Sequence, residues 1–261
     1  MYHQAKDEES QLLVTPGAVP VPIRYIHLWK AAKTWEDAFE FDPLMIYMRA
    51  GKKKSQSITR TQNLTTLLAE KRRRTILTVN GGGAFVIAFL RVGEDGPKTP
   101  SGHLFTWIMS QILRIFSSGA TVEQQKRLEE AKTKMTVLVE ETIGDRLSDM
   151  VYIDILATEP ASQGRGYGGA LVEAINDMAD LCGKASWLMA ITHNVLFYNS
   201  HGYQSAGKCY MGEGNPTWTQ EPIVVYMMIR EARTKHETTP AMPKCTKAAK
   251  LNFMMLNYET F

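Results

Sequence analysis

One segment constrains the fold of this chain more than any other, the stretch Ile153–Ile175. It starts as an apolar strand (IDILAT), passes through a glycine-dense turn (QGRGYGG) and continues as an amphipathic helix. The apolar residues from Tyr167 to Cys182 recur at helical spacing, so one face of this helix is expected to pack on a sheet. Backbone N–H groups in such a turn bind anions without a basic side chain. The sequence therefore predicts an α/β fold with a phosphate-binding turn.

Two widespread phosphate-binding motifs do not fit this turn. A P-loop needs a lysine for the terminal phosphates, and the turn contains none. The dinucleotide-binding pattern matches the glycines, but Glu159–Gly164 separates the strand from the helix start. The next strand also ends in Ala190–His193, without the carboxylate that would bind a ribose.

A third motif fits both the turn and a second segment. Gln163-x-x-Gly166-x-Gly168 resembles the pyrophosphate-binding motif of the GNAT superfamily of acyl-CoA N-acyltransferases. Asn194, followed by FYNSHGY at 197–203, is similar to a second signature of that family. The two segments lie at the spacing that the family shows, so the resemblance implies its fold and its chemistry.

The resemblance covers most of a catalytic core. It is close over 150–207 and looser over 21–92 and 203–230. We therefore expect an α/β GNAT domain at 21–230, with a central mixed, twisted sheet of about six or seven strands flanked by helices. The family commonly joins its third and fourth strands by a short hairpin, whereas here 93–149 intervenes as a helical insertion.

Periodicity predicts the elements before this insertion. Alternation suits a first strand over Val21–Trp29, and helices are expected at Trp35–Ala50 and Ser57–Arg73. Strands at Thr75–Val79 and Ala84–Val92 flank Asn80-Gly-Gly-Gly83, a sequence typical of a hairpin turn.

The insertion and the termini follow from the same patterns. Apolar residues at helical spacing predict helices over Leu104–Phe116 and Val122–Thr142. Residues 1–20 are expected to form a polar tail, and 231–261 a linker followed by a possible docking helix. Because long insertions in compact domains are often functional, Trp107 is expected to line the acceptor site. The alternative is a helical hairpin that only covers the sheet.

The resemblance also implies which residues bind acetyl-CoA. The backbone of the turn would hold the pyrophosphate, while the end of the preceding strand and Asn194 would bind the pantetheine arm. Tyr198 would lie beside the sulfur and protonate the departing thiolate; the alternative is a ring that only packs under the helix. The implied cofactor-binding residues are Leu156, Ala157, Thr158, Gln163, Gly164, Arg165, Gly166, Tyr167, Gly168, Gly169, Asn194 and Tyr198.

The base is expected on the fourth strand, where family members that use a carboxylate carry it. Asp154 is the candidate, because a carboxylate buried in an apolar strand has a raised pKa, which suits proton abstraction. A paired structural acid is one alternative, and ordered water acting as the base is another. His193 and His201 flank the Tyr198 segment and are interpreted as loop residues.

The resemblance implies an acyltransferase that moves an acetyl group from acetyl-CoA directly to the primary amine of a small molecule, without a metal. The insertion and the segment Trp35–Pro43 are similar to drug-modifying and metabolite-modifying members, including puromycin N-acetyltransferase-like proteins. Two other hypotheses stay open. One is a peptide or protein amine as acceptor, and the other is a module that binds acyl-CoA without turnover.

Composition agrees with a cytoplasmic enzyme. A chain of 261 residues that is 44% hydrophobic can bury a full core, and its longest apolar run is too short to span a bilayer. The net charge of +3 is too small to mark a nucleic-acid binder. Three scattered cysteines without metal-ligand spacing predict neither a disulfide framework nor a zinc site. No membrane or nucleic-acid partner is therefore expected, and the pattern leaves the oligomeric state open.

Overall fold

A computed structural model describes residues 18–52, 55–90, 99–117 and 119–233. Its centre is a seven-stranded mixed sheet in the order β1-β2-β3-β4-β5-β7-β6, in which only β4 and β5 run parallel. The strands are β1 (Val21–Pro22), β2 (Thr75–Val79), β3 (Ala84–Phe89), β4 (Val151–Thr158), β5 (Ser186–Ile191), β6 (Gln204–Met211) and β7 (Ile223–Arg230). This architecture confirms the predicted fold class.

Helices flank the sheet on both faces. Within the described ranges they are α1 (Leu28–Ala38), α2 (Pro43–Arg49), α3 (Gln56–Glu70), α4 (Pro100–Ser117), α5 (Val122–Thr142), α6 (Tyr167–Leu181) and α7 (Val195–Ser200). Alternate residues of β3 serve two different cores. Phe85 packs in a cluster that includes Trp35 of α1, whereas Val86 packs in a second cluster that includes Leu171 of α6. The sheet is therefore the middle layer.

A third core holds the other end of the sheet. Tyr47 of α2, Met135 of α5, Met211 of β6 and Val225 of β7 are buried together there. Arg127 of α5 donates to the Tyr47 carbonyl at 2.8 Å, and its side chain is almost fully buried. These contacts fix α2 and α5 against the strands that follow β5.

The predicted hairpin is confirmed. Strand β2 pairs antiparallel with β3 from Thr75 opposite Ala88 to Val79 opposite Ala84. Asn80 and Gly81 adopt positive φ angles of 54° and 57°, as the turn sequence predicts. The last predicted residues of the second strand, 91–92, lie outside the described residues.

The predicted first strand is wrong beyond Pro22. The chain turns into a 3-10 helix at Tyr25–His27 and continues as α1. The alternating pattern did not mark a buried strand face, since Tyr25 and Ile26 are 59% and 73% exposed. Burial instead follows a helical spacing that begins at Leu28.

The predicted helix Trp35–Ala50 is also wrong, because it joins parts of two helices. Helix α1 ends at Ala38, and α2 begins at Pro43. The side chain of Asp42 accepts a hydrogen bond from the Met45 N–H at 3.0 Å, so Asp42 caps a new helix. Proline at the first helical position is typical of such a start, because its missing N–H costs no hydrogen bond there.

The helical insertion between the third and fourth strands is present. Helix α5 has the predicted bounds, and α4 extends a few residues beyond the predicted Leu104–Phe116. Residues 93–98 and 118 of the insertion and 1–17 of the N-terminal tail lie outside the described residues. Residues 234–261, on which the prediction of a docking helix falls, also lie outside them.

Candidate active site

Strands β4 and β5 separate after a short parallel start. Their paired residues run only from Val151 opposite Ser186 to Ile153 opposite Leu188. Beyond Ile153, β4 keeps its pairing with β3, and beyond Leu188, β5 keeps its pairing with β7. Beyond these residues, the facing edges of β4 and β5 are not paired with a strand in the described part of the chain. A wedge-shaped gap therefore opens between the two strands.

A β-bulge marks the point where the wedge begins. On β3, Ile87 pairs with Ile155, while the adjacent Ala88 pairs with Ile153. Asp154 is therefore the extra residue of β4, and a bulge bends its strand and redirects its side chains. The candidate base lies at this bend.

A cleft lies in this wedge. Its sheet side is formed by Asp154, Ile155 and Leu156 of β4 and by Met189, Ala190 and Ile191 of β5. Its other walls come from Trp35 of α1, from Phe39 and Asp42 of the loop that follows, from Leu44 and Met45 of α2, and from Met135, Asn194, Tyr198 and Val225. The cleft is mostly apolar and contains a few polar groups, as small-molecule sites usually are.

The structure brings Asp154, Asn194 and Tyr198 to this one cleft. Asp154 is half-buried, and its Oδ1 accepts a hydrogen bond from the Tyr152 hydroxyl at 3.1 Å. The Tyr152 ring is held in turn by stacking on Trp187, with ring centroids 4.2 Å apart. A buried aromatic pair therefore orients the carboxylate.

Tyr198 is the most buried polar residue of the cleft wall. Only 8% of the residue is exposed, and its ring meets Phe197 and Tyr203 edge to face. Burial, with a smaller contribution from Tyr203, raises the pKa of Tyr198 well above its usual range. At neutral pH the hydroxyl carries its proton, as an unperturbed tyrosine also does.

The two histidines near Tyr198 lie outside the cleft lining. The Nδ1 atom of His201 lies 2.7 Å from Glu173 Oε1, and its ring contacts Phe197. His193 is exposed, in the 3-10 helix Thr192–Asn194 before α7. Neither imidazole is in position to replace Asp154.

The glycine turn leads into an uncapped helix start. Gly164 and Gly166 have φ angles of 75° and 77°, a conformation that favours glycine, and Gly166 is the N-cap of α6. The first helical hydrogen bond runs from the Ala170 N–H to the Gly166 carbonyl at 3.0 Å. The preceding amides, at positions 167–169, have no acceptor in the helix, so this end of α6 presents N–H donors to an anion.

The other two glycines allow close packing. A Cβ atom on Gly169 would lie 3.1 Å from the His201 ring, and one on Gly168 would lie 3.5 Å from Phe197. Glycine at 169 avoids a tight contact with His201, whereas a Cβ atom at 168 would make an ordinary van der Waals contact with Phe197 of α7. The start of α6 therefore lies next to the segment that carries Tyr198.

The remaining predicted cofactor residues surround the turn. Leu156 lines the cleft, Ala157 is buried in the core, and Thr158 is the last residue of β4. Gln163 Nε2 donates to the Thr158 carbonyl at 3.4 Å, and Arg165 Nη2 donates to the Ala161 carbonyl at 3.2 Å. Tyr167 begins α6 and packs partly buried against the core.

Trp107 is not among the residues that line the cleft. It lies on α4, which packs against α3, and it is 60% exposed. The part of the insertion that reaches the cleft is Met135 of α5. Sequence reasoning missed Asp42, although the pair Asp42-Pro43 is a helix-start signal that would have located it at the end of a loop.

Of three comparisons with known proteins, the one with solved structures finds similar folds. No protein-family model matches the sequence, and a search of curated proteins finds no match. Among solved structures, an arylalkylamine N-acetyltransferase 2 from Aedes aegypti is similar, with 11% identity, coverage of 82% of this chain and 98% of that chain, and a TM-score of 0.55.

Two further structures are similar over almost their whole length. One is described as histone acetyltransferase HPA2 and related acetyltransferase, from Corynebacterium glutamicum, with 14% identity, coverage of 84% and 98%, and a TM-score of 0.53. The other is a mosquito arylalkylamine N-acetyltransferase like 5b, with 12% identity, coverage of 82% and 99%, and a TM-score of 0.51. The chain therefore has the fold of the GNAT N-acetyltransferases.

The described ranges of the chain contain no helix that is long and apolar enough to cross a bilayer. They also contain no group of three or more His, Cys, Asp or Glu side chains placed to hold a metal ion.

Proposed function

We propose that this protein is an acetyl-CoA-dependent N-acetyltransferase that acetylates the primary amine of a small molecule by direct transfer. One observation carries the proposal: the wedge between β4 and β5 places Asp154, Asn194 and Tyr198 in one cleft beside the uncapped start of α6. The fold shared with N-acetyltransferases supports it.

The residues present fit acetyl-CoA. The amides at the start of α6 suit a pyrophosphate, because they are unpaired donors at the positive end of a 15-residue helix whose N-cap lacks a side chain. The β4 edge beyond Ile153 has backbone groups without a strand partner on its β5 side, which suits the amide-bearing pantetheine arm. Asn194, across the cleft, would bind the same arm. When bound, acetyl-CoA would supply the activated acetyl group.

The acceptor amine must be neutral before it attacks a thioester. Asp154 would take the proton from the amine, either directly or through an ordered water. The Tyr152 hydroxyl would keep the carboxylate oriented through its hydrogen bond of 3.1 Å. Asp154 is the extra residue of the β-bulge, and it forms part of the cleft wall.

The departing thiolate needs a proton. Tyr198 would donate it, since this residue lines the cleft and a tyrosine hydroxyl is protonated at neutral pH. No hydrogen bond occupies the hydroxyl within the described part of the chain. Asp154 and Tyr198 would then act as base and acid on different atoms of the same reaction.

The acceptor would bind against the apolar wall of the cleft. Trp35, Phe39, Leu44 and Met45 form this wall, and Met135 extends it from the insertion. A pocket of this composition favours an amine with an apolar body. The names of two similar structures, arylalkylamine N-acetyltransferases, agree with that class of acceptor, whereas the name of a third includes histone acetyltransferase.

Thiol release from acetyl-CoA tests the proposal. The protein would be assayed with a panel of alkylamines and arylalkylamines, with a panel of lysine-containing peptides, and with no acceptor. The proposal expects release that depends on a small amine. Release only with peptides would replace the small molecule by a peptide acceptor. Binding of acetyl-CoA, followed by a melting-temperature shift, without release in any arm would indicate a binding module instead.

A further inference from the structure

A second carboxylate lies in the same cleft as Asp154. Asp42 comes from the loop between α1 and α2 and is half-buried in the cleft wall. Its Oδ1 caps α2 by accepting a hydrogen bond from the Met45 N–H at 3.0 Å. A carboxylate has two oxygens and accepts several hydrogen bonds, so the cap leaves Asp42 with capacity for a ligand.

Asp42 differs from four other buried or half-buried carboxylates of the fold, which are paired with cations. Asp180 pairs with Arg230, Glu36 with Arg60, Glu70 with Arg74 and Glu130 with Lys134, each at 3.0 Å or less. No ion pair of Asp42 occurs among the residues that the structure describes. A half-buried carboxylate without a cation is costly, and a cationic ligand would relieve that cost.

The charge of Asp42 is only partly compensated by its surroundings. Burial raises the pKa of this carboxyl, and hydrogen bonds from the Met45 and Leu44 amides and the charges of His193 and Arg49 offset part of that rise. Apart from Asp42, the side chains that α1, α2 and the loop between them contribute to the cleft wall are apolar. A ligand that satisfies both features has a positive charge attached to an apolar segment.

We infer that the acceptor is dicationic: an amine that carries a second, non-reacting cationic group, which binds Asp42 while the reacting nitrogen meets Asp154. The inference rests on the proposed function and narrows its substrate class to diamines and related amines with an apolar spacer. Asp42 is then a specificity-determining residue, and it takes no part in proton transfer.

The test compares straight-chain diamines with monoamines of equal length, for example hexamethylenediamine with hexylamine. Asp42→Asn is the variant, because asparagine caps helices about as well as aspartate and so retains the bond to Met45 while removing the charge. Asp42→Ser, a second capping residue, is the substitute if the first variant is unstable. The melting temperature of each variant reports on folding.

We expect wild-type protein to prefer the diamine and Asp42→Asn to lose this preference. The KM for the diamine should rise at least about tenfold in the variant, whereas the KM for the monoamine should stay within about twofold. Without acetyl-CoA, the diamine should also raise the melting temperature of wild type more than that of the variant.

Equal effects of Asp42→Asn on both amines, or a wild type without preference for any diamine, would overturn the inference and leave the proposed function standing. Absence of thiol release with every amine would instead count against the proposed function. In that case the diamine-dependent melting shift still tests Asp42 directly, and a shift that is the same in wild type and variant overturns the assignment.

Discussion

Tyr198 and Asp154 line the same cleft, although one belongs to the short helix α7 and the other is the bulged residue of β4. The separation of β4 from β5 leaves the cleft to which both residues contribute. A buried phenol that stays protonated and a carboxylate held by Tyr152 are suited to opposite proton transfers. This relationship yields predictions that single substitutions can check.

Tyr198→Phe should lower kcat by about 10²–10⁴, the usual contribution of a general acid, while the affinity for acetyl-CoA changes little. Steady-state kinetics and a binding titration measure the two effects. Tyr203→Phe is the matched control, because the Tyr203 hydroxyl is bonded to Ser186 and Asn176 at 2.9 Å and 2.8 Å. The Tyr203→Phe variant should lose about 1–3 kcal/mol of the free energy of unfolding, since it leaves buried hydrogen-bonding groups unsatisfied. Full turnover in Tyr198→Phe would remove Tyr198 from the mechanism.

Gly164→Asp should abolish the rise in melting temperature that acetyl-CoA causes. The position is open and has a φ of 75°, which aspartate and asparagine tolerate better than most residues. Aspartate would add a negative charge beside the proposed pyrophosphate site, whereas Gly164→Asn would add a side chain of equal size without the charge. We expect the asparagine variant to keep part of a shift that is worth about 2.7 kcal/mol at 100 times the dissociation constant. If both variants respond as wild type does, the phosphates bind elsewhere.

Asp154→Asn should reduce kcat/KM and change its pH profile. A base works only when deprotonated, so the rate of wild type should fall as the pH is lowered through the pKa of the base. Asparagine cannot take up the proton, and the low-pH limb should therefore move or disappear in the variant. An unmoved limb would mean that another group or ordered water is the base. The measurement is kcat/KM across the pH range, with the melting temperature of each sample as the control.

Asp180→Asn should destabilise the fold through Arg230. Arg230 of β7 donates to both oxygens of Asp180 at 2.9 Å and 2.6 Å, and their side chains are 3% and 7% exposed. Loss of one partner of a buried pair costs about 3–5 kcal/mol at neutral pH. The exposed pair of Arg146 with Glu231 gives a control, since Glu231→Gln should change stability by less than about 1 kcal/mol.

The pair of Asp180 and Arg230 also predicts how the free energy of unfolding depends on pH. The hydrogen bonds from Arg230 lower the pKa of Asp180 in the folded state. Its contribution to stability is then present above the unfolded pKa of about 3.9 and is lost as the pH falls through the folded value. Denaturant titrations should show that the difference in free energy of unfolding between wild type and Asp180→Asn becomes smaller below about pH 4. A difference that stays constant down to strongly acidic pH would contradict the assignment of the pair.

The glycine turn, the hairpin and α5 could be predicted because each has a local signal: positive-φ residues, a strand period, or apolar residues at helical spacing. The prediction of the first strand was wrong beyond Pro22, because a short alternating stretch also fits the start of a helix. Only the burial of the side chains distinguishes the two. The break before Pro43 had a local signal in Asp42, the residue that caps α2.

The composition of the cleft could not be predicted in the same way. The bulge at Asp154 depends on the register of β3 and β4, which is a property of strand pairing that no single strand carries. Asp42, in the loop before α2, and Met135 of α5 reach the cleft from segments that are far apart in the sequence. Trp107 was expected to line the acceptor site because it is apolar and lies in the insertion. In the structure α4 packs on α3, and Trp107 is exposed.

The most direct measurement of the central claim quantifies both products of one reaction. Wild-type protein would be mixed with acetyl-CoA and the best amine of the panel, and free thiol, N-acetylated amine and acetylated protein would be measured by mass spectrometry and a thiol assay. Direct transfer predicts equal amounts of thiol and N-acetylated amine, with no acetyl group retained on the protein. Thiol release without acetylated amine, or no release with any amine, would contradict the account.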